Sequence, residues 1–438
     1  MTFESGDPWS ERFNAILNPD EIRQRVEKPP VSVAGMDDWQ PKEAGHRIEA
    51  ALNTVFYPSE QCIDILMEWV AAARVHCAEM YGSRRAFIER VYQSQPPLRE
   101  FYFPMCLTGL AGTGKSALQE AFKRLMPQTD TVKTDDGTVF QLVSHRAITV
   151  RSASSPGDIM VQLAQQDGTY RLLSGRVRKQ AYRDGWALLL LDEFQFATQS
   201  SSASTRIAQM LMTACYVGVP TVYIANFSML HKLKARSQEE QHRLLRQVRE
   251  LSPESSGSVD WRTVLRWYRD VAPDVFLFSP DVDAERIHQL TGGVKRAVIA
   301  LMRIAFEREF AASGTVTLAS LEWAYNSSGY ASYRADVESL AKLFGAFRQQ
   351  RKDLWCPIAG VEPNLEAQWA QQRQSKVDEK ALRASLTADE RKALNAVSKA
   401  SKGSGKKSKK ASVHPIRRRG QDDAATLLKN LEMLDSKQ

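Results

Sequence analysis

Gly109-Leu110-Ala111-Gly112-Thr113-Gly114-Lys115-Ser116 is the stretch from which the rest of the chain can be read. An apolar run, Met105-Cys106-Leu107, leads into it, and Ala117-Leu118-Gln119-Glu120-Ala121-Phe122 leads out with helical composition. Strand, glycine loop and helix in this order are the context in which G-x-x-x-x-G-K-[ST] cradles phosphates. The glycines let the backbone wrap closely enough for its N–H groups to point at an anion, and the helix start adds partial positive charge. Gly109 through Ala117 are therefore expected to hold the phosphates of ATP, with Lys115 reaching the outer ones and Ser116 binding Mg²⁺.

A second motif lies downstream. Ala187-Leu188-Leu189-Leu190-Leu191 is an apolar strand that delivers Asp192 and Glu193 at its C-terminal end, where α/β sheets place ligands. Asp192 is expected in the Mg²⁺ shell, and Glu193 is expected to orient and deprotonate the attacking water. The plain alternative is an acidic turn after a strand. Val222-Tyr223-Ile224-Ala225-Asn226 then ends a further strand in an amide that can bond both water and γ-phosphate. Taken alone Asn226 reads as a helix cap; in this order it reads as a sensor. Gly292-Gly293-Val294-Lys295-Arg296 starts a later helix, and Lys295 or Arg296 can reach back to a nucleotide, with Lys295 the first choice. Among Arg236, Arg243, Arg246 and Arg249, Arg236 is the first choice for a residue acting on a neighbouring subunit's nucleotide.

Composition sets the frame. The chain has 438 residues, 43% hydrophobic and 25% charged, long enough for two or three packed units and typical of soluble globular proteins. No apolar run approaches the ~18 residues a membrane span needs. The start, MTFESGDPWSERF, lacks a basic region leading into an apolar stretch, so a cytoplasmic protein is expected. Five scattered cysteines without C-x-x-C spacing read as reduced thiols, and no zinc site is expected. The net charge of +8 is local. Nine cations lie between Lys399 and Arg419 with no acidic residue; removing them from the 59 Lys and Arg leaves 50 against 51 acidic residues.

The expected organisation is a helical N-terminal region (1–98), a P-loop α/β domain with a parallel sheet (99–278), a small helical lid (279–330) and a further helical region (331–397). A basic, disordered linker (398–420) and a short amphipathic docking helix (421–438) follow. Strands are expected at Met105–Leu107, Ala147–Val150, Ala187–Leu191 and Val219–Ala225, and lid helices at 282–291, 293–312 and 317–326. Ile63, Leu66, Met67, Val70 and Ala73 carry the helical spacing of the N-terminal region. Trp355 and Pro357 mark a break in the region after the lid.

The order of these elements resembles the AAA+ ATPases. Within that class, GLAGTGKS, LLLLDEFQ, VGVPTVYIANFSML and TGGVKRAVIALMRIAF resemble the TnsC/TniB ATP-binding regulators of DNA transposons, over roughly residues 45–345. The resemblance implies an ATP-dependent homo-oligomer, ring or filament, on double-stranded DNA. It would link a target-selector protein to a transposase and its associated endonuclease. It also implies that the sheet side between the two phosphate motifs grips DNA, and Lys133, Arg146 and Arg151 are the residues expected there, beside His145. Arg176, Arg178 and Lys179 form a second basic cluster. Each of these cations, taken alone, reads equally well as solvated charge. Two other readings stay open: a signalling NTPase switch that never touches DNA, and a helicase-loader or remodelling motor. No aromatic-hydrophobic loop flanked by glycines stands out between 152 and 184, which tells against threading.

Overall fold

Four consecutive buried residues, Met105–Thr108, form β1, and the strand is paired on both sides: Cys106 lies opposite Tyr223 and opposite Val248. A strand covered on both faces and both edges must be apolar throughout, as this one is. The computed structural model describes residues 7–33, 39–93, 95–128, 130–133, 137–150, 154–192, 203–341 and 351–358. The chain divides after Arg373, and every described residue belongs to the first unit.

The N-terminal helices are α1 (Pro8–Glu11), α2 (Pro19–Val26), α3 (Pro41–Thr54), α4 (Glu60–Tyr81) and α5 (Arg84–Val91). The sheet region runs β1, α6 (Lys115–Leu125), β2 (Asp130–Lys133), β3 (Val139–Leu142), β4 (His145–Thr149), α7 (Pro156–Ala164), α8 (Tyr170–Arg183) and β5 (Leu188–Asp192). It continues through α9 (Ala203–Cys215), β6 (Thr221–Ile224), α10 (Phe227–Lys234), α11 (Gln238–Leu244) and β7 (Gln247–Glu250). Helices α12 (Val259–Arg269), α13 (Ala284–Thr291), α14 (Lys295–Phe310), α15 (Leu318–Asn326) and α16 (Ala331–Ala341) complete it.

The main sheet is parallel, in the order β4-β5-β6-β1-β7. All four expected strands are present, within two residues of the expected bounds. Leu188 to Leu191 are fully buried, each side chain worth roughly 1.5–3 kcal/mol. Three strands escape the sequence reading. β7 is an edge strand that alternates between exposed and half-buried residues and carries one apolar side chain, Val248, so it has no apolar run to betray it. β2 and β3 form a separate antiparallel hairpin, four residues a side. The sequence Asp136-Gly137 between them has the composition of a tight turn.

The N-terminal helices share one hydrophobic core with the sheet and the lid. Of the stripe expected from spacing, helix α4 buries Ile63, Leu66, Val70 and Ala73 and leaves Met67 half-buried. Trp9 of α1 stacks on Tyr81 of α4 with ring centroids 5.2 Å apart. Helix α3 lies on the lid helix α14. Gly45 makes that approach possible: a Cβ there would fall 2.4 Å from Cγ of Glu307. Arg303 pairs with Glu307 on its own helix and with Glu49 of α3 across the contact. Of residues 331–397, α16 is helical and 351–358 are irregular, with Trp355 and Pro357 in that irregular piece; the remainder lies outside the described residues, as do the linker and the docking helix.

Candidate nucleotide site

The glycine loop leaves β1 at the C-terminal edge of the sheet. In the sheet β1 lies between β6 and β7, so the loop opens at the C-terminal ends of three parallel strands, where α/β sheets place ligands. Gly109 has φ +147°, and a Cβ on it would lie 2.4 Å from the carbonyl oxygen of Leu251, so the tight exit tolerates no side chain. Gly112 has φ +87°, and a Cβ there would lie 2.7 Å from Cβ of Arg296. Thr113 is buried and donates through Oγ1 to Leu110 O at 3.0 Å.

Helix α6 starts at Lys115, whose ammonium donates to the carbonyls of Gly109 (2.8 Å) and Leu110 (2.7 Å). Burial, and then the nearby Arg296 guanidinium, push its pKa down to about 8, with Asp192 pulling the other way. The cation count around the loop exceeds the anion count.

Asp192 closes β5 opposite Thr149, and its backbone oxygen accepts from Val150 N–H at 2.9 Å. Glu193 lies outside the described residues. Asn226 caps α10, its Oδ1 accepting from Met229 N–H at 2.9 Å. The cap uses the oxygen and leaves the amide hydrogens for other partners, so capping and sensing are compatible roles. Across the loop, the first turn of α14 is bonded to it: Arg296 N–H donates to Gly112 O at 3.1 Å. The Lys295 side chain runs beside Gly114, its Cδ 3.6 Å from where a Cβ would stand.

These groups enclose a cavity of about 360 Å³. Ala111, Gly112, Gly114, Lys115, Ser116, Ala117, Asp192, Asn226, Lys295 and Arg296 line its polar part. Leu52, Val55, Phe56, Tyr57, Val264, Tyr268 and Ile299 line most of its apolar part. None of those apolar residues was singled out from sequence, because each reads as ordinary core. Leu52 lies in the last turn of α3, and the connection 55–59 to α4 is held by an antiparallel bridge: Lys28 and Phe56 exchange both backbone hydrogen bonds, at 2.9 and 3.0 Å. Tyr57 donates to Asp260 at 2.8 Å, and burial together with that carboxylate raises its pKa to about 12. Three cations facing one carboxylate, beside an apolar wall, suit a nucleoside triphosphate with a divalent cation.

The remaining expected residues lie elsewhere. Arg236 is held by its own chain, forked onto Glu240 at 2.9 and 3.0 Å and donating to Thr205 at 2.9 Å. It lines a shallow cleft with Met212, Tyr216 and Arg243. Lys133 is exposed on the β2–β3 hairpin. Arg146 is partly buried on β4, its guanidinium 5.1 Å above the Trp186 ring, and Arg151 lies outside the described residues.

Of the second basic cluster, Arg178 is engaged within its own chain: its guanidinium donates to the carbonyls of Leu98, Arg99, Tyr216 and Val217 at 2.7–3.1 Å, tying α8 to the N-terminal ends of β1 and β6. Two exposed apolar side chains of the region 152–184 stand between glycines, on the first turn of helix α8 and not on a loop. Tyr170 and Leu172, between Gly168 and Gly175, are 46% and 55% exposed. The same helix carries Arg171, Arg176, Lys179 and Arg183 in exposed positions and no acidic residue.

No family model and no curated protein matches the sequence. Solved structures do. The Aeropyrum pernix ORC1 protein in complex with DNA is 18% identical over 55% of this chain and 61% of that one, with a TM-score of 0.35. The match thus spans less than two thirds of the ORC1 chain. PCH-2 of C. elegans is 13% identical over 63% of this chain and 70% of that one, TM-score 0.34. Domain III of the Thermotoga maritima replication initiation protein DnaA is 14% identical over 55% and 88%, TM-score 0.32. Likeness at this level carries no residue roles across. Among the described residues no helix is long and apolar enough to cross a membrane. The five-stranded parallel sheet, the glycine loop between β1 and α6 and the helices that follow the sheet give this chain an α/β fold with P-loop geometry.

Proposed function

We propose that the protein binds and hydrolyses ATP with Mg²⁺ and, as a homo-oligomer on double-stranded DNA, regulates transposition by linking a target selector to a transposase and its endonuclease. The observation that carries the nucleotide half is the convergence of Lys115, Ser116, Asp192, Asn226, Lys295 and Arg296 on one cavity. In this reading the loop N–H groups and Lys115 hold the outer phosphates, and Ser116 and Asp192 hold the metal. The metal's contribution is to neutralise charge on the phosphate oxygens. Glu193 takes the proton of the attacking water, Asn226 orients that water, and Arg236 of a neighbouring copy answers charge in the transition state. Arg236 would have to leave Glu240 to do so.

The DNA half rests on Lys133, Arg146 and Arg151 and on the resemblance stated above, with the cationic face of α8 as added support. Transposition is the finest part of the reading and rests on the resemblance alone. The remodelling motor gains one observation, the exposed Tyr170 and Leu172. The two readings part on Tyr170→Ala with Leu172→Ala: a threading motor loses its work on a protein substrate, and a DNA-bound regulator does not.

Hydrolysis is tested by a pair of variants. Glu193→Gln is expected to keep nucleotide binding and slow turnover by about 10²-fold or more, whereas Lys115→Ala weakens binding itself. Wild-type turnover in Glu193→Gln would remove Glu193 from the role of base.

A further inference from the structure

Residues 351–358 belong to no helix or strand, yet their contacts are specific at both ends. Towards the lid, Arg351 pairs with Asp336 of α16 at 2.7 Å and reaches Ser339 Oγ at 3.4 Å; within the segment it pairs with Asp353 at 2.9 Å. Towards the sheet, the Trp355 ring stands edge-on to His231 of α10, centroids 4.3 Å apart. Lys234, also on α10, donates its ammonium to the carbonyl of Pro357. The Cys356 thiol lies against the carboxylate of Glu250, the last residue of β7. Leu354 and Pro357 are buried.

Both sheet anchors are elements of the nucleotide site. Helix α10 begins at Asn226, and β7 runs directly into Leu251, the residue whose carbonyl crowds Gly109. The lid anchor, α16, packs on α13 and α15 within the bundle that places Lys295 and Arg296 over the loop. The segment therefore spans the same two parts that the cavity separates.

We propose that residues 351–358 are a clasp that fastens the lid to the sheet and so governs how readily the nucleotide site opens. The proposal rests on the nucleotide-binding reading above and adds a control element to it. A nucleotide touching both sheet and lid favours the clasped arrangement, and by linkage the clasp favours nucleotide retention by the same factor. Each contact is of a weak kind: an exposed ion pair, one ring edge, one ammonium on a carbonyl. A clasp built this way opens locally without global unfolding.

Cys356 supplies the readout. Cys62, Cys77, Cys106 and Cys215 are buried and Cys356 is only partly so, and it sits within the clasp. The experiment measures the rate at which an aromatic disulfide reagent modifies Cys356 in the full-length protein, with peptide mapping to identify the thiol. The first comparison uses no nucleotide. Asp336→Asn, on the lid and outside the clasp, is expected to speed modification of Cys356 by several-fold, as is Trp355→Ala. Thermal melting checks that both variants remain folded. The second comparison adds a fluorescent ATP analogue whose binding is followed directly. Saturation is expected to slow modification in the wild type, and both variants are expected to release the analogue several-fold faster. An unchanged rate in Asp336→Asn overturns the clasp, because lid and segment would then be independent. Bound analogue with no slowing overturns its link to the site. Failure of the analogue to bind at all overturns the nucleotide reading instead, while the first comparison still decides whether lid and sheet are fastened.

Discussion

At Lys115 a single ammonium carries two opposed demands. Burial and Arg296 hold its pKa at about 8, whereas phosphate oxygens beside it would raise that value. The nucleotide-bound state then holds more protons than the free state above pH 8. Affinity is therefore expected to be flat below about pH 8 and to fall as pH rises beyond it. Titration of a fluorescent nucleotide between neutral pH and pH 9 checks this, with Lys115→Arg, which does not titrate there, as the control. A fall of equal steepness in that variant would assign the effect to another group. His76, buried in α4 against Tyr102, titrates in the opposite range. Burial, then the Arg99 charge, push its pKa down to about 3, from about 6.5 in an unfolded chain. Between those values the unfolded chain binds more protons, so stability held above pH 6.5 is lost as pH falls. His76→Phe is expected to flatten that acid limb in denaturant titrations. A limb of unchanged slope would mean that His76 does not contribute to it.

Among elements, the pairing of α3 with α14 has the most direct consequence, because α3 leads into the apolar wall of the cavity and α14 starts with Lys295 and Arg296. The contact depends on Gly45 leaving room for Glu307, which in turn pairs with Arg303. A methyl at position 45 improves helix propensity by up to about 1 kcal/mol but displaces the Glu307 side chain. Gly45→Ala is expected to be neutral or destabilising in the wild type and stabilising, by about 0.5–1 kcal/mol, in a Glu307→Ala background. Chemical denaturation of the four proteins gives the cycle. Equal effects in both backgrounds would show that the glycine serves no packing purpose.

For the whole molecule, the decisive quantity is charge and where it lies. Outside the run from Lys399 to Arg419 the chain is close to neutral, so in the proposed reading duplex DNA would be held by local cations and not by a general attraction. Binding is expected to require ATP, to fall steeply with salt and to be nearly indifferent to sequence. Charge reversal at Arg146 is expected to weaken it across all sequences. Reversal of Lys179 with Arg183, on α8, tests the second face separately. Fluorescence anisotropy at several salt concentrations reads both, and binding indifferent to salt and nucleotide would favour the switch that never touches DNA.

The loop from Gly109 to Ser116 and the strand ending at Asp192 were legible because their signals are local. Backbone wrapping needs glycines at set spacing, and a strand buried on both faces needs an unbroken apolar run. Four strands and three lid helices followed from the same kind of pattern. The polar edge strand β7 and the short hairpin did not, since neither buries enough to impose one. Tertiary structure alone decided the rest. It set Val55, Phe56, Tyr268 and Ile299 beside a loop distant in sequence, and bonded Arg296 to Gly112. It spent Arg178 on four carbonyls and laid Trp355 on His231. These depend on which surfaces meet across long stretches of chain, and a residue's own neighbours in sequence carry no record of that.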